Sequence, residues 1–338
     1  MKKIGLSVII PLYNAQDWIV PTIDHIVASL DGTNFNAEII IIDDGSLDNS
    51  LRVAESANVP ENIDFTVISQ KNTGRYLARK HGVELSTKAN ILFIDSRVYI
   101  DKQSLGFLES QLQKDDDQIW NGHVNVDKKG NIFARFWDAI VFIGWRRYFR
   151  KPKTISYGLK DFDYYPKGTG FFYVPKNKLL AAMSYFETQS NDLKYSSDDT
   201  LLIRYLAERQ DINISPSFSC LYHGRSTFST FLTHAYSRGQ FFIDGFFRPG
   251  TRFYYPLIGV LVLSILLIIL LIVWPLVALQ LICVLAVLFV VGLLFGALAL
   301  GVAFKDALSL AILGLPFATV YLVGLWRGVA RKLKSKNK

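Results

Sequence analysis

The chain has 338 residues, half of them apolar, and its lysines and arginines outnumber its acids to leave a net charge of +8. Its two cysteines, Cys220 and Cys283, are too far apart in sequence to read as a disulfide or zinc framework. The basic residues gather beside apolar stretches, with Arg238, Arg248 and Arg252 ahead and Arg327, Arg331, Lys332, Lys334, Lys336 and Lys338 behind. That placement suits anionic lipid headgroups and speaks against a nucleic-acid partner.

Met1-Lys2-Lys3 looks like the start of a targeting peptide. The apolar stretch after it, Ile4 to Leu12, is short, contains Pro11 and lacks a small-residue cleavage site. The residues ahead of the long apolar region are therefore expected to stay in the cytoplasm. Leu6 to Pro11 predicts a buried strand. Ala15 to Leu30 has helical spacing, with Trp18, Ile19, Ile23, Ile26, Val27 and Leu30 on one face. Glu38 to Asp43 predicts a second strand, and Asp48 is placed to cap a helix running to about Ala57. A strand at Phe65 to Ile68, a helix at Thr73 to Leu85 and a strand at Ala89 to Asp95 follow. Continuous β-branched runs joined by helices imply an α/β fold with a mostly parallel, Rossmann-like sheet covered on both faces.

Ligands on such sheets bind beyond the carboxyl ends of the strands. Three of those ends are polar: Pro11-Leu12-Tyr13-Asn14, Asp43-Asp44-Gly45-Ser46 and Asp95-Ser96-Arg97. No glycine-rich phosphate loop follows the first strand, so neither a dinucleotide fingerprint nor a P-loop is present. Carboxylates at strand ends accept hydrogen bonds from a base or from ribose hydroxyls; alone, the Asp43-Asp44-Gly45 sequence also serves as a turn.

Leu6-Ser7-Val8-Ile9-Ile10-Pro11-Leu12-Tyr13-Asn14, then Ile41-Ile42-Asp43-Asp44-Gly45-Ser46, then Asn72-x-Gly74-x-x-x-Ala78-Arg79-x-x-Gly82 resemble, in order and spacing, family 2 glycosyltransferases of the GT-A fold. The resemblance implies a nucleotide-sugar donor held by Pro11, Tyr13, Asn14, Asp43, Asp44, Asn72, Gly74, Arg79, Asp95 and Arg97. It also implies a divalent cation, Mg²⁺ or Mn²⁺, on the donor diphosphate. The family usually ends the fourth strand in Asp-x-Asp, whereas this chain has Asp95-Ser96-Arg97. Three readings stay open. Asp95 binds the metal with other ligands, such as His223 and the phosphates. Arg97 stabilises the diphosphate itself. Or Arg97 turns away to pair with a surface acid.

Beyond a helix at Asp101 to about Gln113 and a strand at Ile119 to Val126, residues Phe133 to Tyr148 are rich in aromatics. They read as a helix packing on the core or the membrane, or as acceptor contacts. Gly168 to Pro175 resembles the glycine-containing strand of the family's acceptor side. Ser197-Asp198-Asp199-Thr200 opens a helix. Acids there cap any helix, but the family carries an acidic pair at this point whose second member is the catalytic base of inverting enzymes. The resemblance therefore makes Asp199 the base and Asp198 its neighbour. Leu221 to Ser226 follows an edge strand, with His223 a metal ligand or phosphate donor, or a structural histidine. His234-Ala235-Tyr236-Ser237-Arg238-Gly239 stands where processive synthases carry Gln-x-x-Arg-Trp, which implies single addition rather than polymer extrusion.

From Phe253 to Phe304 there is no Asp, Glu, Lys, Arg or His, and after Lys305 and Asp306 a second such run covers Ala307 to Trp326. A span needs about 20 apolar residues. Trp274-Pro275 splits the first run, and Gly314 and Pro316 interrupt the second, so three membrane segments are expected. Three crossings would put the basic tail on the far side, against the preference of positive charge for the cytoplasm. The division expected is 1–227 for the sugar-transfer domain, 228–252 for an interfacial segment, 253–327 for the membrane helices and 328–338 for a basic tail. No ionisable residue lies inside the long run, so it offers no ion path and reads as an anchor. The function expected is an inverting, single-addition transferase, multi-pass in the inner (cytoplasmic) membrane with its catalytic domain facing the cytoplasm, and with a polyprenyl-linked acceptor. Its rivals are a diacylglycerol-type acceptor and an inactive scaffold subunit of a polysaccharide complex.

Overall fold

The computed structural model describes residues 3–189, 193–195 and 198–336. They form two compact units: residues 1–127 with 151–223, and residues 128–150 with 224–338. Residues 128–150, which the sequence groups with the N-terminal domain, thus belong to the second unit.

The first unit is built on β1 (Ile4–Leu12), β2 (Phe35–Asp43), β3 (Asp64–Ser69) and β4 (Asn90–Ile94), which pair in parallel in the order β3-β2-β1-β4. The sheet continues through β8 (Phe171–Pro175), β6 (Ile119–Val126), β9 (Ile212–Tyr222) and β5 (Val98–Ile100), with β7 (Ile155–Tyr157) pairing with β9. β8 is antiparallel to both β4 and β6, and β6 and β9 are parallel with a register shift between Gly122 and His123. A Cβ on Gly122 would lie 2.1 Å from the Phe171 ring, so only glycine lets β8 close against β6 there.

Side chains alternate across a strand, and β1 and β2 use both faces. Val8, Ile10, Ile39 and Ile41 pack with Ile19, Ile23 and Ile26 of α1 (Ile19–Leu30). Ile40 and Ile42 face Ala78 of α3 (Arg75–Leu85), whose Gly82 brings the helix against Ile9. Complete burial of an isoleucine stabilises by roughly 1.5–3 kcal/mol, so these facing rows explain why the apolar runs are continuous. The remaining helices of this unit are α2 (Ser50–Glu55), α4 (Ser104–Leu112), α7 (Lys176–Gln189) and α8 (Asp198–Ala207).

Two helix starts differ from the sequence pattern, for one reason. Helix α1 begins at Ile19 rather than Ala15, because the Ala15 amide donates to the Ser50 hydroxyl (2.7 Å) and its carbonyl closes a turn onto Trp18 and Ile19. Helix α3 begins at Arg75 rather than Thr73, because the amides of Thr73 and Gly74 donate to the Asp44 carboxylate. The expected cap Asp48 accepts from both the amide and the hydroxyl of Ser50, although Asn49 holds the cap position of α2.

The second unit contains α5 (Ile132–Gly144), α6 (Arg146–Phe149), α9 (Phe228–Phe246), α10 (Tyr254–Val273), α11 (Pro275–Ala299) and α12 (Phe304–Lys336). Helices α10, α11 and α12 are each long and apolar enough to cross a membrane. The aromatic stretch breaks at Trp145 into α5 and α6, and the α5 rings of Phe136 and Trp137 pack on Phe231 and Phe317. Helix α12 runs on through Pro316 and into the basic tail, where the sequence predicts an interruption at Pro316 and a boundary after residue 327.

Candidate active site

The parallel register aligns the strand ends. Leu12 sits beside Asp43, and Asp43 beside Ser69. Pro11 lies in register with Ile42 inside β1, and Tyr13 emerges half exposed just beyond it. Asn14 has a φ of 47°, a left-handed turn that asparagine tolerates. Its amide donates to Ser46 Oγ (3.0 Å), and its Oδ1 accepts from the Leu47 amide (2.8 Å). The ends of β1 and β2 are thereby tied into one rim.

Asp43 and Asp44 are both buried but have different surroundings. Asp43 accepts from Ser69 Oγ at 3.0 Å and from the Ser46 amide at 3.3 Å. Asp44 accepts on Oδ1 from Gln70 Nε2 (2.8 Å), the Thr73 amide (2.8 Å) and Thr73 Oγ1 (3.2 Å), and on Oδ2 from the Gly74 amide (2.8 Å). A carboxylate offers about four lone-pair sites, so this set occupies Asp44 fully with its own chain. Its work is to hold the 70–74 loop. The close approach depends on glycine twice. A Cβ on Gly45 would lie 2.9 Å from the Asn72 nitrogen, and one on Gly74, whose φ is 96°, would lie 2.5 Å from the Lys194 carbonyl. Lys194 in turn donates to the Asn72 carbonyl at 2.9 Å.

At the end of β4, Asp95 faces two arginines. The fully buried Arg79 donates to Oδ1 at 2.7 Å, and Arg75 stands 3.7 Å from Oδ2. Arg79 also lies over the Phe93 ring. The Gly170 carbonyl accepts from the Asp95 amide, and a Cβ on Gly170 would come 3.0 Å from Oδ2. The Asp95 side chain remains 26% exposed. Sequence reasoning named Arg79 but missed Arg75, one turn earlier on the same helix face; the i, i+4 spacing was the available signal.

Arg97 places its guanidinium over the Trp18 ring, 5.1 Å from the centroid. Its carbonyl accepts from the His223 amide at 3.0 Å, which joins β5 to the end of β9. The His223 ring packs against Trp18 and Tyr99, with centroids 5.0 and 4.2 Å away. Its Nδ1 lies 3.2 Å from Asp127 Oδ2. Burial pushes the His223 pKa down and outweighs Asp127, which acts in the opposite direction. The ring is thus neutral at pH 7. The Asp127 contact places the ring proton on Nδ1, so Nε2 keeps its lone pair; that atom is buried with no hydrogen-bond partner among the described residues. The sequence pattern places Trp18 on an apolar helix face and does not single out Tyr99 or Asp127, because nothing in their spacing announces a shared box.

The side chains of Asp198 and Asp199 lie outside the described residues. Helix α8 begins at Asp198, and its Leu201, Leu202 and Ile203 are buried.

Among the described residues no three His, Cys, Asp or Glu side chains converge on a metal-sized space. The partly exposed Asp95 carboxylate fits a cation held by one protein oxygen together with phosphates and water, as Mg²⁺ accepts. It does not fit an all-protein cage.

The chain is 29% identical over 130 residues to glycosyltransferase GlyG of Streptococcus pneumoniae, covering 38% of this chain and 42% of that protein. It is 39% identical over 93 residues to the uncharacterized glycosyltransferase YibD of Escherichia coli, covering 27% of this chain and 25% of that one. It is 23% identical over 148 residues to dodecaprenyl-phosphate galacturonate synthase of Rhizobium johnstonii, with coverage of 43% and 44%. The matches therefore span less than half the length of these relatives. Among solved structures it is similar to S. aureus TarS 1–349 in complex with UDP-GlcNAc, with a TM-score of 0.47 and 16% identity over 72% of this chain and 67% of that one. The family model described as Glycosyl transferase family 2 matches residues 7–178, which is more than half of the 338 residues and contains the ends of β1, β2 and β4; the chain belongs to that family.

Proposed function

We propose that the protein is a membrane-bound glycosyltransferase that moves one sugar, with inversion, from a nucleotide-sugar to a lipid-linked acceptor. The observation that carries this is the rim at the ends of β1, β2 and β4. There Asp44 holds the 70–74 loop beside Asp43, and at the end of β4 a carboxylate is flanked by Arg75 and Arg79. Asp43 is the group offered to the nucleoside, with Tyr13 and Asn72 beside it. Pro11, Asn14, Asp44 and Gly74 shape the pocket. Arg75 and Arg97 are the cations offered to the diphosphate. Asp95 would hold a divalent cation, with His223 as a second candidate ligand; such an ion would offset the charge that builds on the departing diphosphate.

The transfer balances as follows. An acceptor oxygen attacks the anomeric carbon, the bond from that carbon to the phosphate oxygen breaks, and the nucleoside diphosphate leaves with the electron pair. The acceptor's proton goes to a carboxylate, which the family resemblance assigns to Asp199 with Asp198 as neighbour. The helices α10 and α11 support a membrane-anchored acceptor, and the name of the Rhizobium relative supports a polyprenyl phosphate as its class. In this reading the catalytic unit faces the cytoplasm, where nucleotide-sugars are made.

The test is a thermal-shift and turnover panel of UDP-, GDP- and dTDP-sugars, each with Mn²⁺ or a chelator. We expect one nucleotide class to stabilise the protein. We also expect Asp199→Asn to keep that shift while losing at least 100-fold in turnover, within the range for removing a positioned acid or base. No shift with any nucleotide, or full turnover in Asp199→Asn, overturns the assignment.

A further inference from the structure

Three helices of this chain are long and apolar enough to span a bilayer, yet their contacts within the second unit treat α12 differently from α10 and α11. Helices α10 and α11 are joined directly at Trp274 and expose most of their apolar side chains around their circumference. At 1.5 Å per residue, the 20 residues of α10 reach about 30 Å, the thickness of a hydrocarbon core. They form an out-and-back pair.

Helix α12 is tied at both ends to chain that precedes the first crossing. Near its start, the buried Asp306 pairs with Lys128 and Arg135, both at 2.9 Å, on and just before α5. Near its end, Lys332 donates to the Phe247 carbonyl at 2.9 Å and lies over the Phe247 ring. Phe247 caps α9, ahead of the start of α10 at Tyr254.

Between those ties, α12 runs beside α9 in the same direction. The Phe231 ring meets Phe317, Gly324 meets the Tyr236 carbonyl, and Gly328 meets the Gln240 carbonyl and Ile243. Helix α9 carries His234, Arg238, Gln240 and Asp244, a content that opposes its own insertion across a bilayer. The other neighbours of α12 agree. Gly314 packs on Leu293, close to the end of α11, and Leu325 packs with Leu257 and Leu261, close to the start of α10. Both places lie toward the same face of the α10–α11 pair. Finally, α12 exposes one stripe, Leu308, Ile312, Leu315 and Val323, and buries the opposite side.

We propose that α12 does not cross the membrane. It lies in the plane of the leaflet on the side from which the chain enters α10, with its exposed stripe facing that leaflet's acyl chains. The chain then has two crossings, and Arg327, Arg331, Lys332 and Lys334 stay on the same side as Arg248 and Arg252 at the level of the headgroups. The conflict between three crossings and a positive-inside tail disappears.

Two measurements on the full chain test this, and neither depends on catalysis. In oriented vesicles of a Cys283→Ser background, Glu61→Cys, Trp274→Cys and Lys334→Cys are labelled with an impermeant thiol reagent. Lys334→Cys is expected to label with Glu61→Cys, and Trp274→Cys from the other face only. Labelling of Lys334→Cys together with Trp274→Cys, or of all three from one face, overturns the proposal. For depth, a fluorophore on Ile312→Cys or Val323→Cys is quenched by lipids brominated at defined carbons, with Leu266→Cys as a mid-span reference. Equal, shallow depths at the first two support an in-plane helix. Depths that differ by a leaflet, or no lipid quenching because a second copy covers the stripe, count against it.

Discussion

At the site, adjacent residues of one type do different work. Asp43 and Asp44 are neighbours in the same motif, but Asp44 spends its carboxylate on the 70–74 loop, while among the described residues the Asp43 carboxylate has two partner groups, the Ser46 amide and the Ser69 hydroxyl. Replacing Asp44 would therefore act through the loop's shape, and replacing Asp43 through what the loop surrounds. The histidines offer a sharper handle. Burial pushes the pKa of His223 down, and that of His123 as well. In both, the unfolded chain binds protons more readily than the folded one. Their contribution is complete above the ordinary histidine value of about 6.5 and is lost as pH falls through that value toward the lowered one. In detergent, the unfolding temperature is expected to drop between pH 7.5 and pH 5.5. The His123→Asn, His223→Asn double variant should flatten that drop. An unchanged slope would show that other groups set the pH response.

At the level of elements, the glycine contacts between α9 and α12 make a specific demand. A Cβ at Gly324 would lie 2.3 Å from the Tyr236 carbonyl, and one at Gly239 would lie 2.4 Å from the Tyr321 carbonyl. Backbone on both sides leaves little room to yield. Gly324→Leu is expected to destabilise by about 1–3 kcal/mol, the cost of overpacking a closed contact. Val323→Leu, one residue away on the exposed stripe, should be silent. Thermal unfolding of both variants in detergent reads the difference, and equal midpoints would remove the glycine argument. The same contrast shows what the sequence could reveal. The strand runs around Ile39–Ile42 and the acids at their ends were legible, because period and composition act locally. The start of α3 was misplaced by two residues, because Asp44, a distant residue in sequence, takes the amides that would have opened the helix. The pairing of Asp306 with Lys128 was hidden for the same reason: no local pattern links residues so far apart.

For the whole molecule, the second unit draws on two separated stretches of chain, 128–150 and 224–338. The aromatic helix α5 is ambiguous in sequence because a stripe of Phe and Trp suits a helix packing on the core or the membrane and also an acceptor contact. Its partners show what part of that stripe packs against. Phe136 and Ala139 are buried against Phe231, Leu310 and Leu313, all beyond residue 223. Each large apolar side chain on that face contributes roughly 1.5–3 kcal/mol through burial. A chain cut after residue 227 removes every one of these partners and leaves the face bare. Such a truncated protein is expected to require detergent or to sediment with liposomes, although it lacks α9 and all three long apolar helices. Replacing residues 129–149 by a short Gly-Ser linker in the same truncated chain should release it into solution, because α5 and α6 go with the replacement. Size-exclusion chromatography without detergent reads both outcomes. A monodisperse truncated chain that still carries α5 would overturn the assignment of its aromatic face to partners beyond residue 227.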